Sequence, residues 1–145
     1  MFFGQYHLSL DDRGRLELPP LLRARLAGEV VITQGFDGNL LLLKDGVFDG
    51  ILQRAKGMNI ADPRARLLLR LILSNASESA VDDSGRVFVT EDLRNYAQLQ
   101  GEVVLIGQGD YLELWAPAHW EKQEDRLRDA EANADYFSQL NLSTG

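Results

Sequence analysis

Two stretches of the chain place aliphatic residues at every second position in the same way. In the first stretch Leu16 and Leu18 are separated by one polar residue, and Val87 and Val89 repeat this spacing 71 residues later. Alternation with a period of two predicts a strand that buries one of its faces. The pattern therefore predicts two short, half-buried strands.

Short helices are predicted directly after these strands, at 20–26 and 91–97. Pro20 suits the first position of a helix, and Thr90 can cap the second helix with its hydroxyl group. Gly28 is typical of a residue that ends a helix. Both half-buried strands are thus expected to lead into a helix.

Aliphatic runs predict two further strands in each copy, at 28–33 and 40–43 and again at 101–106 and 112–115. The order predicted twice is strand, Gly turn, strand, short helix, strand, Gly turn, strand, longer helix. The separation between the copies grows from 71 to 73 residues by the third strand, which indicates a two-residue insertion near Asn95.

The longer helices are expected to begin at the aromatic residues Phe48 and Trp120. The segment from Asp62 is also predicted to be a helix, because Asp is a favoured N-cap and Pro63 follows it. The predicted helical segments are 47–56, 62–73 and 118–140, followed by a loose tail at 141–145.

One turn motif occurs twice, as Asp-Asp-Arg-Gly-Arg at 11–15 and as Asp-Asp-Ser-Gly-Arg at 82–86. A repeat of this length indicates two copies of one structural unit. The carboxylates of Asp11 and Asp82 are expected to accept hydrogen bonds from backbone N–H groups two residues on. Gly14 and Gly85 are expected to supply the left-handed conformation of a bulged hairpin.

The arginines of the motif are not required by the turn. Arg15 and Arg86 could each pair with the aspartate of their own turn, an interaction worth about 0.2–1 kcal/mol at an exposed site. Alternatively, each could project to phosphates or base edges, where a guanidinium group binds two acceptors. Arg13 is matched by Ser84 in the second copy, so the first turn is the more basic one.

The bulk composition limits the classes of protein that fit. The chain has 145 residues, 45% of them hydrophobic, and no cysteine, which excludes disulfides and cysteine-based metal or nucleophile sites. The N-terminus lacks a signal-peptide pattern, and the longest apolar run, 67–73, is too short to span a bilayer. We therefore expect a soluble cytoplasmic protein with no membrane partner.

The net charge of −7 is unusual for a nucleic-acid-binding protein, which commonly shows a basic surface. The distribution of charge matters more than the sum. Residues 121–135 hold six acids against three basic residues, whereas residues 10–26 hold four arginines against three acids.

An enzyme is one rival interpretation, with the aspartates of the two turns as a carboxylate cluster for metal or acid–base chemistry. Each aspartate pair lies beside an arginine, and the two histidines, His7 and His119, are outside the motifs. A phosphate-binding glycine loop is also absent from the sequence. We expect no catalytic residue, no metal, no cofactor and no small-molecule substrate.

A second rival interpretation is an antitoxin-like or protein-interaction module. In it the predicted C-terminal helix, 118–140, binds a partner through Trp120, Leu127 and Tyr136. The alternative is that the same residues pack on their own chain or on a neighbouring protomer.

The chain resembles the MraZ family in several spaced motifs, which together cover about residues 1–122. The matching residues are Met1-Phe2-x-Gly4, Leu10-Asp11-x-Arg13-Gly14-Arg15-Leu16-x-Leu18-Pro19-x-x-Leu22-Arg23, Met58-Asn59, Ser74-Asn75-Ala76-Ser77-Glu78, Asp82-x-x-Gly85-Arg86, Leu93-Arg94-x-Tyr96-Ala97, Val104-x-Ile106-Gly107, Leu112-Glu113-Leu114-Trp115 and Trp120. The sequence departs from the family pattern at Thr90, where proline is common, and at Ser84, which replaces a basic residue.

The resemblance implies an α+β fold in which two tandem swapped-hairpin, AbrB-like β-α-β repeats form a pseudo-symmetric small β-barrel with flanking helices. The implied divisions are repeat 1 at 5–48, a helical connection at 49–76, repeat 2 at 77–120, and a C-terminal helix and tail at 121–145.

The same resemblance implies a cytoplasmic, nucleoid-associated transcriptional regulator. Its members form ring-shaped homo-oligomers that bind short direct repeats in double-stranded DNA, usually at the promoter of the division and cell-wall gene cluster. The residues in the DNA-contact positions are Arg13, Gly14, Arg15 and Arg86, and those that shape the turns are Asp11, Asp82 and Gly85.

Overall fold

A computed structural model describes residues 1–142, with strands and helices in the order that the repeated pattern predicts. Residues 143–145, the end of the predicted loose tail, lie outside the described residues. The strands are β1 Gln5–Ser9, β2 Arg15–Glu17, β3 Glu29–Gln34, β4 Leu40–Lys44, β5 Ser77–Ala80, β6 Arg86–Phe88, β7 Glu102–Gly107 and β8 Tyr111–Trp115. The helices are α1 Pro20–Arg25, α2 Asp45–Ala55, α3 Pro63–Leu73, α4 Glu91–Ala97, α5 Pro117–Arg128 and α6 Ala130–Ser138.

The strands of the two repeats interleave. A six-stranded antiparallel sheet has the order β1-β7-β8-β4-β3-β5, and β2 pairs with β6 in a separate two-stranded ribbon. The first strand of each repeat therefore pairs with the third strand of the other, and the fourth strands pair with each other. Among residues 1–142 the strands form two separate sheets, and their hydrogen bonds do not close into one continuous barrel.

The register of the ribbon shows a pseudo-two-fold relation between the repeats. Leu16 of β2 lies opposite Val87 of β6, and these two residues are equivalent positions 71 residues apart. A pair of equivalent residues lies opposite each other only where a two-fold axis passes between them. The swapped-hairpin fold class implied by the resemblance is confirmed.

One core joins the two repeats, because the inner faces of both sheets contribute to it. Leu16 and Val87 from the ribbon pack there with Leu22 and Leu93, the equivalent buried residues of α1 and α4. All four side chains are at most 1% exposed. Burial of this extent stabilises by about 1.5–3 kcal/mol for each such side chain, so neither repeat can be removed without opening the core.

Two smaller apolar clusters lie outside this core, one beneath α2 and α3 and the other beneath α5. α2 covers strands β3 and β4 through Phe48, whereas α5 covers β7 and β8 through Trp120. The ring of Trp120 lies 5.6 Å from that of Trp115. Phe48 and Trp120 are thus equivalent anchors in the two repeats.

The structure corrects three helix boundaries. α2 begins at Asp45 and α5 at Pro117, three residues before Phe48 and Trp120, because an acid or a proline is favourable in the first turn. The single helix predicted at 118–140 is two helices. Asp129 leaves the helical conformation (φ −81°, ψ 84°) and its carboxylate accepts a hydrogen bond from the N–H of Ala132, capping α6.

Candidate nucleic-acid interface

The two Asp-Gly-Arg turns have the same hydrogen bonds. Oδ1 of Asp11 accepts from the backbone N–H groups of Arg13 at 2.9 Å and Arg15 at 2.8 Å. Oδ1 of Asp82 accepts likewise from Ser84 at 2.9 Å and Arg86 at 3.0 Å. Each aspartate thus accepts from the backbone two and four residues further along the chain.

The backbone of each turn closes with a glycine in the left-handed region. The N–H of Gly14 donates to the carbonyl of Asp11 at 3.1 Å, and φ of Gly14 is +83°. Gly85 repeats this with the carbonyl of Asp82 at 2.9 Å and φ of +77°. A side chain at a positive φ is strained, so glycine is the residue that this bulged turn favours.

The charge state of Asp11 is coupled to the turn. Its hydrogen bond from the backbone N–H of Arg15 is the largest cause that lowers the pKa of Asp11 below the ordinary value of 3.8, and the nearby guanidinium groups of Arg86 and Arg15 lower it further. Asp11 is therefore ionised in the folded protein throughout the neutral range. Its negative charge strengthens the hydrogen bonds that it accepts from the backbone N–H groups of the turn.

Each turn is held by the other repeat. The carbonyl of Gly14 accepts a hydrogen bond from the N–H of Val89 at 2.8 Å, and the carbonyl of Gly85 accepts one from the N–H of Leu18 at 3.0 Å. Because both bonds cross the pseudo-two-fold axis, the two turns are fixed in position relative to each other.

Arg23 and Arg94 were not among the site residues predicted from the sequence. Each donates a hydrogen bond to a backbone carbonyl just after the ribbon strand that follows a turn. Nε of Arg94 donates to the carbonyl of Val89 at 3.0 Å, and Nε of Arg23 donates to the carbonyl of Leu18 at 2.6 Å. A Cβ atom at Gly14 would lie 2.8 Å from Nε of Arg94. The recurrence of these two arginines at the 71-residue separation was the signal that could have found them.

The outer face of the ribbon carries both motif arginines. Leu16 and Val87 point into the core, so their neighbours point outward. Arg15 lies opposite Phe88 across the ribbon, and Arg86 lies opposite Glu17. Two guanidinium groups thus project from one narrow, two-stranded surface.

Neither motif arginine pairs with the aspartate of its own turn within residues 1–142. Arg86 pairs instead with the aspartate of the other repeat, with Nη1 3.9 Å from Oδ2 of Asp11. In the same part of the chain, Arg13 and Arg15 are exposed and form no ion pair. Their guanidinium groups are available to an acceptor outside the chain.

Within residues 1–142 there is no group of three or more His, Asp or Glu residues that could hold a metal ion. No helix in the same part of the chain has both the length and the apolar character needed to cross a membrane.

Comparison with known proteins gives matches over nearly the whole chain. A family model described as "MraZ protein, putative antitoxin-like" matches residues 1–71 and again residues 72–140. The chain is 36% identical over 143 residues to a protein named transcriptional regulator MraZ from Herpetosiphon aurantiacus, covering 98% of this chain and 100% of that protein. Two further proteins of that name are 34% identical over 139 residues, from Roseiflexus castenholzii (96% of this chain, 95% of that protein), and 38% identical over 124 residues, from Mycobacterium sp. strain KMS (86% and 87%).

Proposed function

The chain belongs to the MraZ family, and from this premise we propose that it regulates transcription by binding double-stranded DNA through its two Asp-Gly-Arg turns. The observation that carries the proposal is the placement of Arg15 and Arg86 on one outward-facing ribbon. Backbone hydrogen bonds between the repeats fix the two turns of this ribbon in position. Folding does not require arginine at either position.

The ribbon of β2 and β6 is an element of a kind that enters DNA grooves. The major groove admits a two-stranded β-ribbon, and an arginine there binds two acceptors of a guanine edge. Arg13, beside the ribbon, is exposed and suits a phosphate contact. Gly14 is buried, so its contribution to DNA binding is to set the position of the arginines on either side of it.

Few contacts are available from one protomer, and the chain carries a net charge of −7. Two or three arginine contacts give weak binding at physiological salt. A ring of protomers on successive direct repeats makes later contacts intramolecular, which can increase avidity by roughly 10²–10⁴. We therefore include a homo-oligomeric ring in the proposal.

The family resemblance supports the finer parts of the proposal. These are repression at the promoter of the division and cell-wall gene cluster, direct repeats as the operator, and action on the nucleoid in the cytoplasm. As a regulator of this kind the chain needs no catalytic activity.

The test is a footprint on the DNA upstream of the chain's own gene, followed by titrations on one, two, three and four copies of the protected repeat. The expected result is an affinity that rises with repeat number, together with a solution mass above that of one chain. An affinity that is independent of repeat number contradicts the ring, and the absence of any specific footprint contradicts DNA regulation.

An antitoxin-like or protein-interaction module is the second candidate, supported by the exposed C-terminal helices. Leu127 is 62% exposed and Tyr136 65% exposed, whereas Trp120 is buried against Trp115 and cannot contact a partner. Deletion of 121–145 distinguishes the two functions. Loss of a co-purifying protein with an unchanged oligomer favours this candidate, whereas loss of oligomer size favours packing between protomers.

A further inference from the structure

Helix α6 has an apolar stripe that its own chain does not bury. Ala130, Ala134 and Phe137 share one face at positions i, i+4 and i+7, and none of the residues in α6 is buried. Phe137 is 58% exposed. Glu131 and Asp135 form an acidic row beside this stripe.

A groove between α2 and α3 is apolar and open. Its volume is about 350 Å³, and its lining residues are Leu52, Ala55, Lys56, Ile60, Leu69 and Leu73. Ile60 is 71% exposed and Leu73 is 43% exposed. A groove of this kind matches the apolar face of an amphipathic helix.

The charges beside the two surfaces are opposite. Lys56 lines the groove, and Arg70 follows the lining residue Leu69 on α3, exposed to solvent. Segment 45–73 carries five basic residues against three acids, whereas 117–142 carries six acids against three basic residues. This complementarity argues for one surface binding the other.

The connections of the two repeats explain why the apolar stripe of α6 is not buried. In repeat 1 the chain must return from α2 to β5, and α3 packs against β3 on the way. In repeat 2 no strand follows α5 within residues 1–142, and α6 lies against α5 with none of its residues buried. Its apolar stripe is available to a neighbour.

We propose that α6 of one protomer docks into the α2–α3 groove of a second copy of this chain. The contact is heterologous, because each copy supplies one helix and one groove. Such contacts continue from copy to copy and form a ring when the rotation closes. This inference rests on the proposed function, in that it names the surface that builds the proposed ring.

The chain lacks cysteine, which makes cross-linking a clean test. Two variants of the full chain, Phe137→Cys and Ile60→Cys, are each treated with a short bis-maleimide linker, alone and as a mixture. The expected result is a covalent dimer in the mixture and none from either variant alone. A mixture without dimer, or dimers from a single variant in equal yield, overturns the proposal.

Phe36→Cys is the matched control, since Phe36 is 63% exposed in the loop between β3 and β4. It should form no dimer with Phe137→Cys, and equal cross-linking there overturns the proposal. Phe137→Asp should also reduce the solution mass to that of one chain while the melting temperature is kept, and an unchanged mass overturns it. Footprinting by the wild-type chain on the DNA upstream of its own gene is measured separately: the absence of any specific footprint contradicts the proposed function and leaves the docking contact standing.

Discussion

Arg86 of the second turn lies beside Asp11 of the first, with its Nη1 atom 3.9 Å from Oδ2. The pair spans the pseudo-two-fold axis and joins the two repeats at the outer surface of the ribbon. The equivalent contact, Arg15 with Asp82, is not among the ion pairs of residues 1–142. The two turns therefore have the same backbone conformation, but only the arginine of the second turn, Arg86, forms an ion pair with the opposite repeat in the described part of the chain.

The pair between Asp11 and Arg86 should contribute little to stability. Its side chains are 33% and 41% exposed, and exposed pairs are worth about 0.2–1 kcal/mol. A double-mutant cycle with Asp11→Ala and Arg86→Ala, followed by urea unfolding, should give a coupling free energy in that range. A coupling well above 1 kcal/mol would assign Arg86 a structural role.

Arg13 should account for one ionic interaction with DNA. Arg13→Ser makes the first turn like the second. The affinity K falls as salt rises, and each phosphate that a protein neutralises makes the slope of log K against log salt more negative by about 0.9. We therefore expect the slope of this variant to be less steep by about that amount. Ser84→Arg should make the slope steeper, that is more negative, by a similar amount. Equal slopes in all three proteins would place Arg13 away from the DNA.

Gly14 should tolerate alanine less well than another glycine with a positive φ. Gly38 has φ of +75° and open space around it, so Gly38→Ala should cost about 1–2 kcal/mol from backbone strain alone. At Gly14 a Cβ atom would also lie 2.8 Å from the carbonyl oxygen of Val89. Gly14→Ala should therefore lower the free energy of unfolding by more than Gly38→Ala, and equal costs would rule out the close approach.

The lowered pKa of Asp11 predicts a specific acid dependence. Because its folded pKa is below the ordinary value of 3.8, the ionised carboxylate stabilises the fold fully above that value, and the contribution disappears as the pH falls through the folded pKa. The difference in melting temperature between wild type and Asp11→Asn should be constant above about pH 5 and narrow below about pH 4. A difference that widens on acidification would contradict this assignment.

The local chemistry of the turns follows from the sequence. Asp at the first position and Gly at the fourth lead to one backbone conformation, so the hydrogen bonds of Asp11 and the positive φ of Gly14 could be predicted. The repeat also predicted equivalent elements in both halves. These features depend on residues close together in the chain.

The interleaving of the repeats could not be predicted from periodicity. A pattern of buried positions says that β1 has a partner but not that the partner is β7 of the other repeat. For the same reason the pair between Arg86 and Asp11 was missed, since its residues are distant in the chain. The break at Asp129 was missed because no Gly or Pro marks it, although Asp is itself a favoured N-cap.

The most direct test of the central claim is the affinity of the chain for the DNA upstream of its own gene, measured by fluorescence anisotropy with unrelated DNA as competitor. Each bidentate arginine contact is worth about 1–3 kcal/mol, so Arg15→Ala/Arg86→Ala should bind its specific site roughly 30-fold or more weakly while remaining folded. The control Arg126→Ala/Arg128→Ala makes the same change in charge on α5 and should bind as wild type does. Equal affinity of the turn variant and the wild type, or an equal reduction in the control, would contradict DNA recognition by the turns.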